Sequence, residues 1–280
     1  MIDYYDLFIL SLCGAIGGFL AGLLGIGGGI AFVVFISSYL IKLGVPDNLL
    51  VPAIIANSMF CIFFAGLSGS FKHYQNKNLS LNPILTIGFA ATFASILASY
   101  SITHWFDYKQ ESFLIFFIFL LLFIALSMMK RREIINSNEL KIEKKDPLKL
   151  TGIGLLSGSI AAFSGIGGGI ILMPLLTNGM KMGIKKANGI SLGVITLMAL
   201  LTSFYNILFN PASLGIVYSL GLISFAISLP IALMSIIAAP FGVNVASKLK
   251  PETIRIIFVV FILVVVAKMV SGILGMSFKF

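Results

Sequence analysis

The sequence predicts an all-α, polytopic integral membrane protein, and three observations carry that reading. Apolar residues make up 59% of the 280 and charged residues only 10%. Apolar stretches of about bilayer length recur along nearly the whole chain. One glycine-rich break, GIGGG, occurs twice, each time inside such a stretch.

A mean hydropathy of +1.07 lies far outside the range of water-soluble domains. A hydrocarbon core of about 30 Å needs about 20 apolar residues per helical span. Backbone groups left unpaired in lipid restrict spanning structures to helices and closed barrels, and the uninterrupted apolar runs lack a barrel's alternation. The lipid bilayer is therefore the expected surrounding, and no stretch remains for a soluble domain.

By apolar length, the first half contains spans near 5–24, 30–43, 51–70, 83–104 and 112–130. The second half contains spans near 149–164, 170–178, 189–210, 214–239 and 254–276. This divides the chain into a first transmembrane repeat, 1–130, a polar linker, 131–148, and a second repeat, 149–280. The segments beginning at 30 and 170 are too short to cross comfortably, so each is either a short span or the return arm of a re-entrant hairpin. Asp3 and Asp6 precede the first apolar run, where a secretory signal would carry basic residues, so the first run reads as an uncleaved helix. Cys13 and Cys61 lie in apolar runs and read as small buried hydrophobes.

A shift of 140 residues lays GAIGGFLAGLLGIGGGI, residues 14–30, on GLLSGSIAAFSGIGGGI, residues 154–170, with nine identities in seventeen positions. Further on the register slips by seven, setting Ser58 against Ser191 and His73 against Asn206.

The net charge of +9 is loop charge, and it reads as topology, with no nucleic acid expected as partner. Fifteen of the nineteen basic residues fall in the loops around 71–82, 130–149, 179–188 and 247–255. With those loops in the cytoplasm, both termini lie outside and the inter-repeat loop inside. Each half then crosses an odd number of times, so the halves are expected to be inverted relative to each other.

Gly25, Gly27, Gly28 and Gly29, and Gly165, Gly167, Gly168 and Gly169, are poor helix interiors, since each glycine costs about 1 kcal/mol relative to alanine. Broken backbone at membrane depth needs protein or water around it, and it exposes N–H groups at the start of the following arm. Such groups suit a small anionic substrate, because no Cβ blocks its approach. Close packing is the competing reading, and it is preferred for Gly14, Gly18 and Gly22 with Gly154, Gly158 and Ala162, which recur every fourth residue. Packing alone rarely calls for three consecutive glycines.

Asn57, Ser58, Asn188 and Ser191 follow the breaks in both halves and complete the candidate substrate-binding set, against interhelical bonding as the commoner use of such residues. No Asp or Glu falls inside an expected span, which disfavours a carboxylate relay or cation site and suits an anion. Lys268 is the one embedded charge, and its stem is long enough to snorkel. His73 is of a type that titrates near neutrality, while His104 beside Trp105 suits interface anchoring. Neither a nucleotide fingerprint nor a metal cluster or catalytic pair is apparent, so no cofactor and no enzymatic activity are expected.

These residues resemble the sulfite exporter TauE/SafE family, also described as the sulfonate uptake permease family. The match lies in GFLAGLLGIGGGIAF and SIAAFSGIGGGIILMPLL, which open two halves of similar length, with LGVPDN after the first break and a span ending SGSFKHYQNK. The resemblance implies secondary transport of sulfite, sulfonates or related anions across a bacterial cytoplasmic membrane, with a proton as candidate coupling ion. The family pattern places a proline shortly after the glycines. Pro174 fits, whereas Val34 stands at that position in the first half. The alternative function is a membrane scaffold or assembly protein without transport activity.

Overall fold

The structure is a computed structural model and describes residues 3–105, 108–129, 146–208, 214–216 and 218–273. The first half contains α1 (Tyr4–Leu24), α2 (Gly29–Lys42), α3 (Asp47–Gln75), α4 (Leu81–His104) and α5 (Gln110–Met129). The second contains α6 (Pro147–Ser164), α7 (Gly169–Pro174) with a π-helical turn (Leu175–Gly179), α8 (Ile184–Leu208), α9 (Phe225–Lys248) and α10 (Pro251–Ile273). A short antiparallel pair, β1 (Ser219–Leu220) and β2 (Ile223–Ser224), precedes α9. Among the described residues seven helices, α1, α3, α4, α5, α8, α9 and α10, are long and apolar enough to cross a bilayer, and the protein is an all-α polytopic membrane protein. Exposed rows such as Ile115, Phe119 and Phe123 on α5 and Val260, Leu263 and Val264 on α10 suit a lipid-facing perimeter.

One expected span is corrected. The run 214–239 is not a single helix: β1 and β2 occupy 219–224, and α9 extends to Lys248. Leu214, Leu222 and Ile223 are apolar because the loop carrying them is buried against the protein, and apolar length alone does not separate such a loop from a helix. Residues 130–145, most of the expected linker, lie outside the described residues. Helix α6 begins at Pro147, where Asp146 accepts the Leu148 N–H at 3.0 Å.

The halves are interleaved. Helix α1 packs on α9, and α6, its counterpart in the second half, packs on α4. Both seams use the small residues spaced by four. A Cβ on Gly14, Gly18 or Gly22 would collide with the α9 backbone at Ile231, Ser235 and Ala239. One on Gly154 or Gly158 would collide with α4 at Ile87 and Ala91. Helices α3 and α8 run antiparallel through the centre, with Gly66 on Thr196 and, nearer the end of α3, His73 on Gly189.

Each glycine-linked pair of arms doubles back. Lys42, in the last turn of α2, donates to both carboxylate oxygens of Asp6, in the first turn of α1, at 2.8 and 3.1 Å. The start of α1 and the end of α2 therefore share one face. Helix α1 is about 30 Å long and α2 about 20 Å, so the break between them lies well inside the molecule. Val34 leaves α2 continuous. Pro174 ends α7 after six residues, and the chain widens into the π-helical turn that follows.

Candidate functional site

Both breaks adopt the same backbone. Gly25, Gly27 and Gly28 have φ of 71°, 86° and 72°, and Gly165, Gly167 and Gly168 have 69°, 91° and 70°. Side chains rarely adopt this left-handed region, so three of the glycines in each motif are there for conformation. Gly25 and Gly165 close α1 and α6, their N–H groups donating to Ala21 and Ala161 carbonyls at 2.9 and 2.8 Å.

The two breaks lie directly against each other. A Cβ on Gly29 would come within 2.6 Å of the Ile166 Cα, and one on Gly169 within 2.7 Å of the Ile26 Cα. Gly27 and Gly167 both face Ile62 of α3 and Ile195 of α8, whose side chains fill the space over the crossing. All ten residues of the two motifs are buried. The first amide of α2 to join the helical ladder is that of Ala31, bonding Gly28 at 3.1 Å, and Ile171 does the same with Gly168 at 3.1 Å. Among the described residues, the N–H groups of Gly27, Gly28 and Ile30 and of Gly167–Ile170 reach no backbone carbonyl, while Gly29 closes a turn over Gly27–Gly28. Buried donors of that kind are an unusual concentration of positive potential in the protein interior.

The carbonyls at the other side of each break are tied across the halves. Ser58 donates to the Gly165 carbonyl at 2.7 Å, and Ser191 donates to the Gly25 carbonyl at 2.8 Å. These serines hold equivalent positions in the repeat, and each draws off the negative end of a helix belonging to the opposite half. Alanine at either position strands a buried carbonyl, with an expected loss of about 1–3 kcal/mol each. Thermal unfolding in detergent measures this, and a large loss at one position with none at the other would contradict their equivalence.

Asn57 and Asn188 differ from the serines and from each other. Asn57 uses its whole amide on protein: Nδ2 donates to Ala53 and Leu222 carbonyls at 2.7 and 2.8 Å, while Oδ1 accepts from the Ser224 N–H at 2.8 Å and the Ser228 hydroxyl at 2.6 Å. In this arrangement it clamps the β1–β2 turn onto α3. Asn188 lies against Gly25, and its Oδ1 is buried without a partner.

Lys268 and His104, also singled out from the sequence, make their ring contacts outside the two motifs. Lys268 Nζ sits 5.4 Å from the Phe35 ring centroid, a cation–π contact between α10 and α2. His104 stacks on Tyr100 with centroids 4.3 Å apart beside an exposed Trp105, which suits an interface anchor. Sequence reasoning missed Ile62 and Ile195. Isoleucine in a span carries no signal of its own, although the shift of 133 residues that equates Ser58 with Ser191 equates these two as well. Thr202, Ser203 and Asn206 of α8 also read from sequence as groups that line a path or bond between helices; Thr202 donates to Ser95 of α4 at 3.1 Å, a partner the sequence did not signal. Beyond this contact, Ser99, Thr103 and Asn206 line a small cavity with Pro52, Ile55, Ile102 and Leu222.

The family described as "Sulfite exporter TauE/SafE" matches residues 10–269. A "Probable membrane transporter protein" of Methanocaldococcus jannaschii is 28% identical over 89% of each chain. One of the same description from Haemophilus influenzae is 28% identical over 92% of this chain and 96% of its own length. No solved structure matches the chain.

Proposed function

Because the chain belongs to the sulfite exporter TauE/SafE family and is a membrane transporter, we propose that it carries small sulfur-containing anions, sulfite or sulfonates, by alternating access between two inverted halves. The observation that carries this reading is the meeting of two glycine breaks of one backbone shape, both buried and both with unbonded amides. An oxyanion entering between Gly27 and Gly167 meets N–H groups from each half at once, in surroundings where such dipoles act strongly. Ser58 and Ser191 support the same chemistry by occupying the carbonyls that would repel the anion.

With the crossing filled by Ile62 and Ile195, admission of an anion requires α3 and α8 to shift there. Antiparallel packing of these two helices lets such a shift open one face while the other stays closed. Loop charge sets the orientation in a bacterial cytoplasmic membrane: Lys72, Lys77, Lys181, Lys185 and Lys186 inside, Asp6 and Lys42 outside. A proton is the candidate coupling ion of this reading; the described acidic residues within helices, Asp6, Asp47, Glu111 and Glu252, sit in first turns and offer it no carboxylate relay across the membrane.

The test is flux of radiolabelled sulfite and of a sulfonate into proteoliposomes holding the purified protein. Saturable uptake of either is expected. Failure to move both, by protein that is folded and inserted, would overturn the proposal and favour a scaffold.

A further inference from the structure

His73 occupies the last turn of α3 and is 4% exposed, yet neither Nδ1 nor Nε2 has a hydrogen-bond partner. A neutral imidazole has one donor and one acceptor to satisfy, and leaving both unmet in a buried site is unfavourable. Its neighbours are backbone: Gly189 of α8 sits on its Cβ, and its carbonyl accepts the Asn78 N–H at 3.0 Å. The residue before Gly189 is Asn188, whose Oδ1 is also buried without a partner and which lies against the Gly25 break. Two side chains with unsatisfied polar atoms thus meet at Asn188–Gly189, near the start of α8, and Asn188 of the two lies against the Gly25 break.

The pseudo-equivalent place at the other end is chemically different. Asn206 stands where His73 does, and its Nδ2 donates to the Thr202 carbonyl at 3.0 Å. One end therefore carries a titratable ring and the other a neutral amide.

We infer that His73 and Asn188 form an anion subsite on the lysine-rich side of the crossing, closed here and assembled when the ends of α3 and α8 part. Water then reaches the imidazole and supplies a proton; the imidazolium holds an oxyanion beside the Gly25 break, with the Asn188 amide turned so that Nδ2 donates to the anion and Oδ1, the acceptor left unmet in the closed site, takes a hydrogen bond from water. The proposal rests on the transport reading above and names where the anion pauses on one side of the crossing.

The charged groups at this end are mostly cationic: Lys185 and Lys186 on α8 with Lys181 before it, Lys248 on α9 and Lys250 after it, Lys72 on α3 itself and Lys77 in the loop that follows, against Glu252 at the start of α10. Helix α6 brings Asp146 and Lys149 at its start. Helices α1, α2, α4 and α5 carry Asp6, Lys42, His104 and Glu111 at their opposite ends, and β2 carries no charge. No described acid bonds the ring, so an arriving anion is its natural counter-charge.

Binding of methanesulfonate, which keeps a single charge between pH 5 and pH 8, separates protein titration from ligand titration. Affinity of the purified protein is expected to rise at least about tenfold from pH 8 to pH 5, as a charge partner close to the ring requires. His73→Asn, which installs the residue of the other half, is expected to keep the pH 8 affinity and lose the rise. His104→Gln removes the other histidine and is expected to keep the full pH profile. Identical profiles for the wild-type protein and His73→Asn would overturn the subsite and leave the transport reading standing. Absence of both methanesulfonate and sulfite binding to the wild-type protein at every pH would overturn both.

Discussion

Alanine at Gly29 is expected to stop anion flux and to lower the unfolding temperature in detergent, with a loss of about 1–3 kcal/mol, the range for overpacking a filled interior. Gly29 has no left-handed backbone to preserve, so the effect is steric. The added methyl would sit 2.6 Å from the Ile166 Cα, and its neighbour is backbone of the other half's break, which has no rotamer to change. The crossing can take the methyl only by moving the two halves apart. Gly169→Ala meets Ile26 in the same way and is expected to match it. Gly152→Ala is the control: nothing lies within 4 Å of that position, and in a helix alanine gains up to about 1 kcal/mol over glycine. A Gly29→Ala protein that melts and transports like wild type would mean that the breaks do not need to touch.

The largest loss of stability is expected from Asn57→Ala. It removes four hydrogen bonds at once and leaves the Leu222 carbonyl and the Ser224 N–H buried without partners. At about 1–3 kcal/mol for each of the two stranded groups, the total is about 2–6 kcal/mol. Because the clamp holds the β1–β2 turn to α3, limited proteolysis should cut within 214–224 in the variant before global unfolding. An unchanged melting temperature together with a protected turn would show that the turn is held by other contacts.

Much of the fold was legible because lipid imposes length and polarity on every span. The boundaries of α1, α2, α4, α5 and α6 fall within two residues of the apolar runs that predict them. Where apolarity had another cause the reading failed: Leu214, Leu222 and Ile223 are apolar to pack a loop, and a hydropathy pattern does not distinguish a buried loop from a buried helix. The glycine motifs announced a break because few other uses suit three consecutive glycines. Their partners carried weaker signals. Ser58, Ser191 and Asn57 look alike in sequence as small polar residues in spans, and only packing separates serines that bond the opposite break from an asparagine that clamps a loop. Ile62 and Ile195 gave no chemical signal, since their part is played by shape.

The central claim is that the two breaks together hold the transported anion. Its most direct measurement is anomalous diffraction from crystals grown with selenite, whose selenium marks the position of an oxyanion chemically close to sulfite. The account predicts a selenium peak between Gly27 and Gly167, within hydrogen-bond reach of amides from both breaks, with Ile62 and Ile195 displaced. A peak elsewhere, with those isoleucines still packed over the crossing, would contradict it.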